Sequence, residues 1–417
     1  MIRTKGIISR RRTALLGVLT LGAALVTAQT GAHGAQAGGT RAQVACVLGR
    51  LTTQAKIGQL FMVGIGGTRS SASTVRLLRS WQAGGVILSR SNVGSAADLR
   101  TLTAGLQRAA ALPLLIATDQ EGGAVARIQV GLTTLPAEAY YGRRGASRRV
   151  YADTQAQGQA LKRLGINLNL APVVDVLSNP DSPIGSRSFG PDPARDAQLA
   201  AAAIRGYQAA GIGATAKHFL GLGAVTTNAD DALPVVRAGR ATLEARDLVP
   251  LRAAVAAGVD AVMVTRVLLP ALDPRTPAYA SAPIVQGVIR RALGFRGAVM
   301  TDSLLSRAVV SGPGSATAAV AALQAGDDIL LLLSAGGGLA VSHTEQALNA
   351  VRQALAHGTV RRARLDDAVR HVLHLKAQLG LLPRCEPIST RPTGARTLEG
   401  HVAHKWNEPE RRMMPSP

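Results

Sequence analysis

Four short segments place ionisable side chains at the expected carboxyl ends of strands: Asp119 in TDQEGG, Arg187 in IGSRSFG, Lys217 and His218 in AKHF, and Asp302 in VMTDS. Taken singly, each has a structural reading. An aspartate after a strand commonly caps a helix, and an isolated arginine commonly pairs at a surface. Taken together they mix carboxylate acceptors with donors that cannot accept, which is what a polyhydroxylated ligand needs if its hydroxyls are to be held in one pocket. No cluster of cysteine or histidine accompanies them. The pattern therefore points away from a metal site and calls for no cofactor.

These residues need a scaffold that brings their segments to one rim. Eight short apolar runs recur along the chain: 61–66, 85–88, 114–118, 167–174, 214–218, 261–264, 298–301 and 328–333. Their near-continuous apolar character is that of parallel strands buried on both faces. Segments of helical spacing lie between them, for example 75–82, 198–210 and 344–356. Eight such units predict an α/β fold, a single (β/α)8 TIM-type barrel over residues 51–383, in which chemistry sits at the carboxyl ends of the strands. A doubly wound open sheet is the alternative. It would want a Gly-rich phosphate fingerprint after its first strand, and Gly64, Gly66 and Gly67 do not supply one.

The ends of the chain read differently. Arg3, Lys5 and Arg10 to Arg12 precede an apolar stretch from Ala14 to Val26 and then small residues, the order of a cleavable signal peptide over 1–28. Residues 29–50 read as a lead-in and 384–417 as a flexible, Pro-rich tail. Export would place the protein in a secreted or extracytoplasmic compartment. There Cys46 and Cys385, just outside the two ends of the barrel, are expected to form a disulfide. No run of about 18 apolar residues offers a membrane span. The net charge of +22 attracts polyanions, an acidic wall polymer among them. It is scattered rather than striped, and only 3% of residues are aromatic, so a nucleic-acid surface is not expected. The expectation is a monomer whose ligand is a saccharide.

Seven motifs then resemble, in order, those of family 3 glycoside hydrolases: TDQEGGAVAR, INLNLAPVVDV, IGSRSFG, AKHFLGLGAVTTNADDALPVV, PAYAS, LGFRGAVMTDSL and AGDDILLL. The resemblance spans about Leu51 to Leu381. Its single domain and KH-containing loop look like the bacterial β-N-acetylhexosaminidase branch, which implies action on terminal N-acetylglucosamine of cell-wall or chitin-type saccharides. It implies that Asp302 is the nucleophile of a retaining double displacement. It also implies that Asp119, Arg127, Arg187, Lys217 and His218 hold the hydroxyls of the terminal sugar.

The sequence departs from that pattern in one loop. Where the branch carries Asp-Ser-His, its histidine being the general acid/base, this chain has Asn228, Ala229 and Asp230. Two further histidine positions are Leu222 and Arg266. Two readings compete. Either Asp230 has become the acid/base, with its pKa lifted from about 3.9 by burial or by the charge of Asp302, or the barrel binds sugar and hydrolyses it poorly. Losing acid/base catalysis costs on the order of 100-fold to 10,000-fold.

Overall fold

A computed structural model describes residues 39–334 and 336–383. The predicted signal peptide, the start of the lead-in, the tail and Cys385 lie outside the described residues. Eight parallel strands form one sheet: β1 (Phe61–Gly64), β2 (Gly85–Leu88), β3 (Leu115–Thr118), β6 (Leu168–Asn169), β7 (Gly213–Phe219), β8 (Ala261–Val264), β9 (Ala298–Thr301) and β10 (Leu330–Leu332). A two-stranded hairpin, β4 (Gln120–Gly122) with β5 (Val125–Ala126), interrupts the series after β3. The sheet runs β10-β1-β2-β3-β6-β7-β8-β9. Its outer strands meet through a parallel bridge of Met300 with Ile329, where the Thr301 amide donates to Ile329 O at 2.9 Å. The sheet thereby closes into the expected (β/α)8 barrel.

Alternate residues of each strand turn inward. Met62, Ile87, Leu115, Ala117, Leu168, Leu170, Met263, Met300 and Leu331 form a buried interior, each large side chain contributing about 1.5–3 kcal/mol by leaving water. Leu379 and Leu381, after the last helix, pack against this cluster beside Leu168. At the other end Leu170, Met263 and Leu331 become the floor of a cavity. The barrel is a packed core with one wet end, as its chemistry requires.

Local chemistry sets where the helices begin. Thr52 and Ser71 accept from the amides three residues on, both at 3.1 Å, and Ser95 with Asp98 makes a reciprocal capping box. Asp192 caps the helix Pro193–Ala209, whose first position is the proline. The helical segments predicted at 75–82, 198–210 and 344–356 are observed as Ala72–Trp81, Pro193–Ala209 and Val341–Ala356. The apolar run 167–174 is strand only at Leu168–Asn169, because Pro172 has no amide to give the ladder. Val173 rejoins by a single bridge to Lys217. Residues 39–50 of the lead-in are helical. Gln43 on that helix donates to Leu382 O and Pro383 O, tying the start of the described chain to its end. No described helix is long and apolar enough to cross a membrane.

Candidate active site

The carboxyl ends of β3, β7, β8 and β9, the hairpin and the turn Gly185–Arg187 surround a cavity of about 420 Å³, within the usual range for ligand pockets. Every residue singled out from the sequence as catalytic or sugar-holding lines it: Asp119, Arg127, Arg187, Lys217, His218, Asn228, Asp230 and Asp302. Among the described residues no group of three or more His, Cys, Asp or Glu could hold a metal.

One wall is a partial ring of linked charges. Lys217, pointing inward from β7, places Nζ 2.6 Å from Asp119 Oδ1 and 2.7 Å from Glu121 Oε1. Arg187 grips the same Glu121 through two parallel bonds of 2.8 Å. Burial by itself would raise the Glu121 carboxyl, but Lys217 and then Arg187 outweigh it and hold it down at about 2. Burial likewise disfavours the Lys217 ammonium, and Asp119 with Glu121 more than restores it. The ring is neutral overall and keeps spare donors. Lys217 has a third N–H and Arg187 has three N–H groups beyond those given to Glu121, all available to hydroxyls.

His218 is held from behind. Asp175, fully buried, lies 2.8 Å from His218 Nδ1, and the same oxygen accepts the His218 amide at 3.0 Å. The other Asp175 oxygen accepts from Leu222 N at 2.9 Å. One carboxylate thus fixes both the ring and the start of the following loop. Gln120 and Asn169 exchange two bonds, 3.0 and 2.9 Å, that lock the hairpin to β6.

The opposite wall is built on Arg266. Asp302 accepts from Ser303 N at 2.7 Å and from Thr265 Oγ1 at 3.0 Å. The Arg266 Nη2 atom lies 3.3 Å from Asp302 Oδ2 and 2.5 Å from Asp230 Oδ1. The rest of the guanidinium donates to Ala229 O and Ser303 O at 3.1 and 2.8 Å, so Arg266 is buried and spent on four acceptors. Asp302 is pulled well below the ordinary carboxylate range: burial opposes this, and Arg266, His218 and its two hydrogen bonds prevail. Asp230 moves upward, through crowding at the pocket mouth and the charge of Asp302, against Arg266. Its side chain is 69% exposed, so water blunts the first of these causes and the balance rests on Asp302 against Arg266. Asn228 does not touch that carboxylate. Its Oδ1 accepts the Asp230 amide at 3.0 Å, a turn-forming bond.

Residues 52–375 match the glycosyl hydrolase family 3 N terminal domain. The chain belongs to that family. A β-hexosaminidase of Xylella fastidiosa (strain 9a5c) is 38% identical over 280 residues, 66% of this chain and 83% of that one. A family 3 β-N-acetylglucosaminidase structure from Paenibacillus sp. str. FPU-7 superposes with a TM-score of 0.77 at 36% identity, covering 85% of this chain and 66% of that chain. A β-N-acetylhexosaminidase structure from Beutenbergia cavernae DSM 12333 gives 0.70 at 34%, covering 78% and 99%. This family 3 barrel is therefore a glycoside hydrolase of β-hexosaminidase type.

Two members of its pocket region escaped the sequence reading. Glu121 stands two residues after Asp119, which lies between β3 and β4, and both carboxylates reach the same Lys217 ammonium. That spacing was a usable signal. Asp175 lies within the APVVDV segment, and nothing in the sequence alone joins it to His218, 43 positions away.

Proposed function

We propose that this protein is a retaining exo-acting β-N-acetylhexosaminidase that removes terminal N-acetylglucosamine from cell-wall or chitin-type saccharides, with Asp302 as nucleophile and Asp230 as acid/base. The observation that carries it is the shared guanidinium of Arg266. Two carboxylate oxygens that both touch Nη2 stand no further apart than their two contacts laid end to end, about 6 Å, which favours the close spacing of retaining enzymes over the wider inverting one. Asp302, held ionised, is in the state a nucleophile needs. Asp230, raised and exposed to water beside it, is placed to carry a proton. The ring of Asp119, Glu121, Lys217 and Arg187 with His218 supplies acceptors and donors for the sugar's hydroxyls, and the names of the relatives supply its class.

Arg266 also supports a second reading. By favouring the Asp230 anion it opposes proton donation, so a sugar-binding barrel with weak turnover is the competing function. Turnover of p-nitrophenyl N-acetyl-β-glucosaminide separates the two. We expect measurable hydrolysis with retained configuration and a loss of at least about 1,000-fold in Asp302→Ala. Sugar binding without turnover in either protein would favour the binder.

The reading extends to the exported state, in which residues 1–28 are removed and Cys46 is bridged to Cys385. Gln43, one helical turn before Cys46, bonds Leu382 and Pro383, close in sequence to Cys385. We expect the mature protein to gain two daltons on reduction and to lose about 2–4 kcal/mol of stability. Two free thiols in exported protein would overturn the bridge.

A further inference from the structure

Behind the charged ring lies a carboxyl group that the proposed chemistry does not use. Glu138 opens the short helix Glu138–Gly142, is only 5% exposed and does not line the cavity. Its Oε1 accepts from Val173 N at 3.0 Å, while Oε2 is buried without a partner. The contact joins two active-site segments. Val173 leads into Asp175, which holds His218. The chain before Glu138 packs on the hairpin of Glu121, with Gly123 N donating to Leu135 O at 2.9 Å.

The charges and titratable groups that act on Glu138 come from three elements: Glu121 from the hairpin, Arg187 from the turn Gly185–Arg187, and Asp196 with Tyr207 from the helix Pro193–Ala209. Asp196 is itself 1% exposed, with neither carboxylate oxygen partnered. The surroundings thus offer two carboxylates and one cation, and that cation is already bound to Glu121 through two hydrogen bonds. An anion in this position lacks compensation, whereas a neutral acid keeps the Val173 bond without competing for Arg187.

We propose that Glu138 is a positioning residue that works as a neutral acid: it ties the Glu121 hairpin to the Asp175 segment, and its ionisation draws Arg187 away from Glu121 and the sugar. Burial first, then the charges of Glu121 and Asp196, raise its carboxyl well above the ordinary range, against the Val173 bond and Arg187. Asp196 is itself raised to about 8 by burial, Asp192 and Asp175, and once ionised it holds the Glu138 proton more tightly. Sugar binding should then weaken as pH rises while the chemical step keeps its own dependence on Asp230. The effect belongs to KM, and acid/base failure belongs to kcat.

This inference rests on the hexosaminidase reading, and the test separates the two. KM and kcat for p-nitrophenyl N-acetyl-β-glucosaminide are measured from about pH 6 to about pH 9 for wild type, Glu138→Gln, Glu138→Ala and Asp196→Asn. Wild-type KM should rise about 10-fold across the range. In Glu138→Gln it should stay within about 2-fold, because the amide reproduces the neutral acid. Glu138→Ala should raise KM about 10-fold throughout, and Asp196→Asn should leave most of the wild-type rise in place. A KM rise that survives in Glu138→Gln, or one that vanishes only in Asp196→Asn, overturns the assignment.

A second measurement needs no turnover. A carboxyl raised in the folded state binds its proton more tightly there than when unfolded. Its stabilising influence is complete below the unfolded pKa and is lost as pH rises towards the folded one. The Tm of wild type should therefore fall relative to Glu138→Gln as pH increases. Parallel Tm curves overturn the proposal even if the enzyme is active. Absent turnover with diverging curves overturns the hexosaminidase reading and leaves the neutral acid standing.

Discussion

The two walls of the pocket solve the same electrostatic problem in opposite ways. On the sugar-holding wall two cations and two carboxylates are linked in series, with Lys217 and Glu121 only 3% and 2% exposed in their side chains. On the Arg266 wall one buried cation faces two carboxylates, Asp302 at 20% exposure and Asp230 at 69%. The first wall is neutral and inward; the second carries a net negative charge that water must share. A buried series of paired charges fixes geometry and resists change in protonation. An open, overcharged triangle leaves one carboxylate free to exchange a proton, which is what a general acid must do. The contrast predicts that damage to the first wall shows as stability and damage to the second as rate.

Glu121→Ala is the strongest way to break that comparison. It strands Arg187 and leaves Lys217 with Asp119 alone, and removing one partner of a buried ion pair costs about 3–5 kcal/mol. Urea unfolding should report a loss of that size, with weakened sugar binding. The same group sets an acid limit. Its folded pKa of about 2 lies below the unfolded value, so its contribution is complete above about pH 5 and disappears as pH falls towards about 2. A Glu121→Ala protein as stable as wild type, or an unchanged acid limb, would show that the ring holds nothing together.

Asp230→Ala should behave in the reverse manner. The residue is a half-free surface partner, so unfolding stability should change by less than about 1 kcal/mol. Its Arg266 neighbour keeps Asp302, Ala229 O and Ser303 O. Turnover of unactivated saccharides should nevertheless drop about 100-fold or more. The pH profile supplies the sign. A general acid must be protonated, and Asp230 is raised, so wild-type kcat should fall as pH climbs through its titration, and that limb should vanish in Asp230→Ala. A large stability loss with an unaltered limb would make Asp230 a loop fastener and nothing more.

How much of this was legible beforehand follows the same division. Strand ends are readable because buried parallel strands are continuous apolar runs, so Asp119, Lys217, His218 and Asp302 could be placed on one rim from pattern alone. The family motifs added Arg127, Asn228 and Asp230, and all of them line the cavity. What pattern could not supply was partnership across the barrel. Lys217 meets Asp119 and Glu121 at separations of 98 and 96 positions, and Asp175 reaches His218 across 43. Only closure of the barrel brings such residues together. Arg266 is the sharpest case: it reads as one altered position in the sequence, yet in space it is the hub that both carboxylates share.

That hub decides the smallest of the expected effects. Changing Asn228→Asp together with Asp230→His would restore the loop residues that the hexosaminidase branch carries, and the sequence alone suggests a gain in turnover. The geometry argues otherwise. Asn228 is occupied with the Asp230 amide, a turn that an aspartate makes equally well, so its carboxylate would remain on the backbone instead of orienting the new imidazole. The new histidine would also stand beside the Arg266 guanidinium, whose positive charge opposes protonation and so removes the proton a general acid must give. The pair alone should therefore move turnover of unactivated saccharides by less than about 3-fold. Adding Arg266→His removes the opposing charge and should raise it about 10-fold or more over the pair, provided the loop keeps its fold, which urea unfolding monitors. A gain of that size from the pair alone would mean that Arg266 does not control the proton on this wall, and that Asp230 differs from a histidine in strength rather than in surroundings.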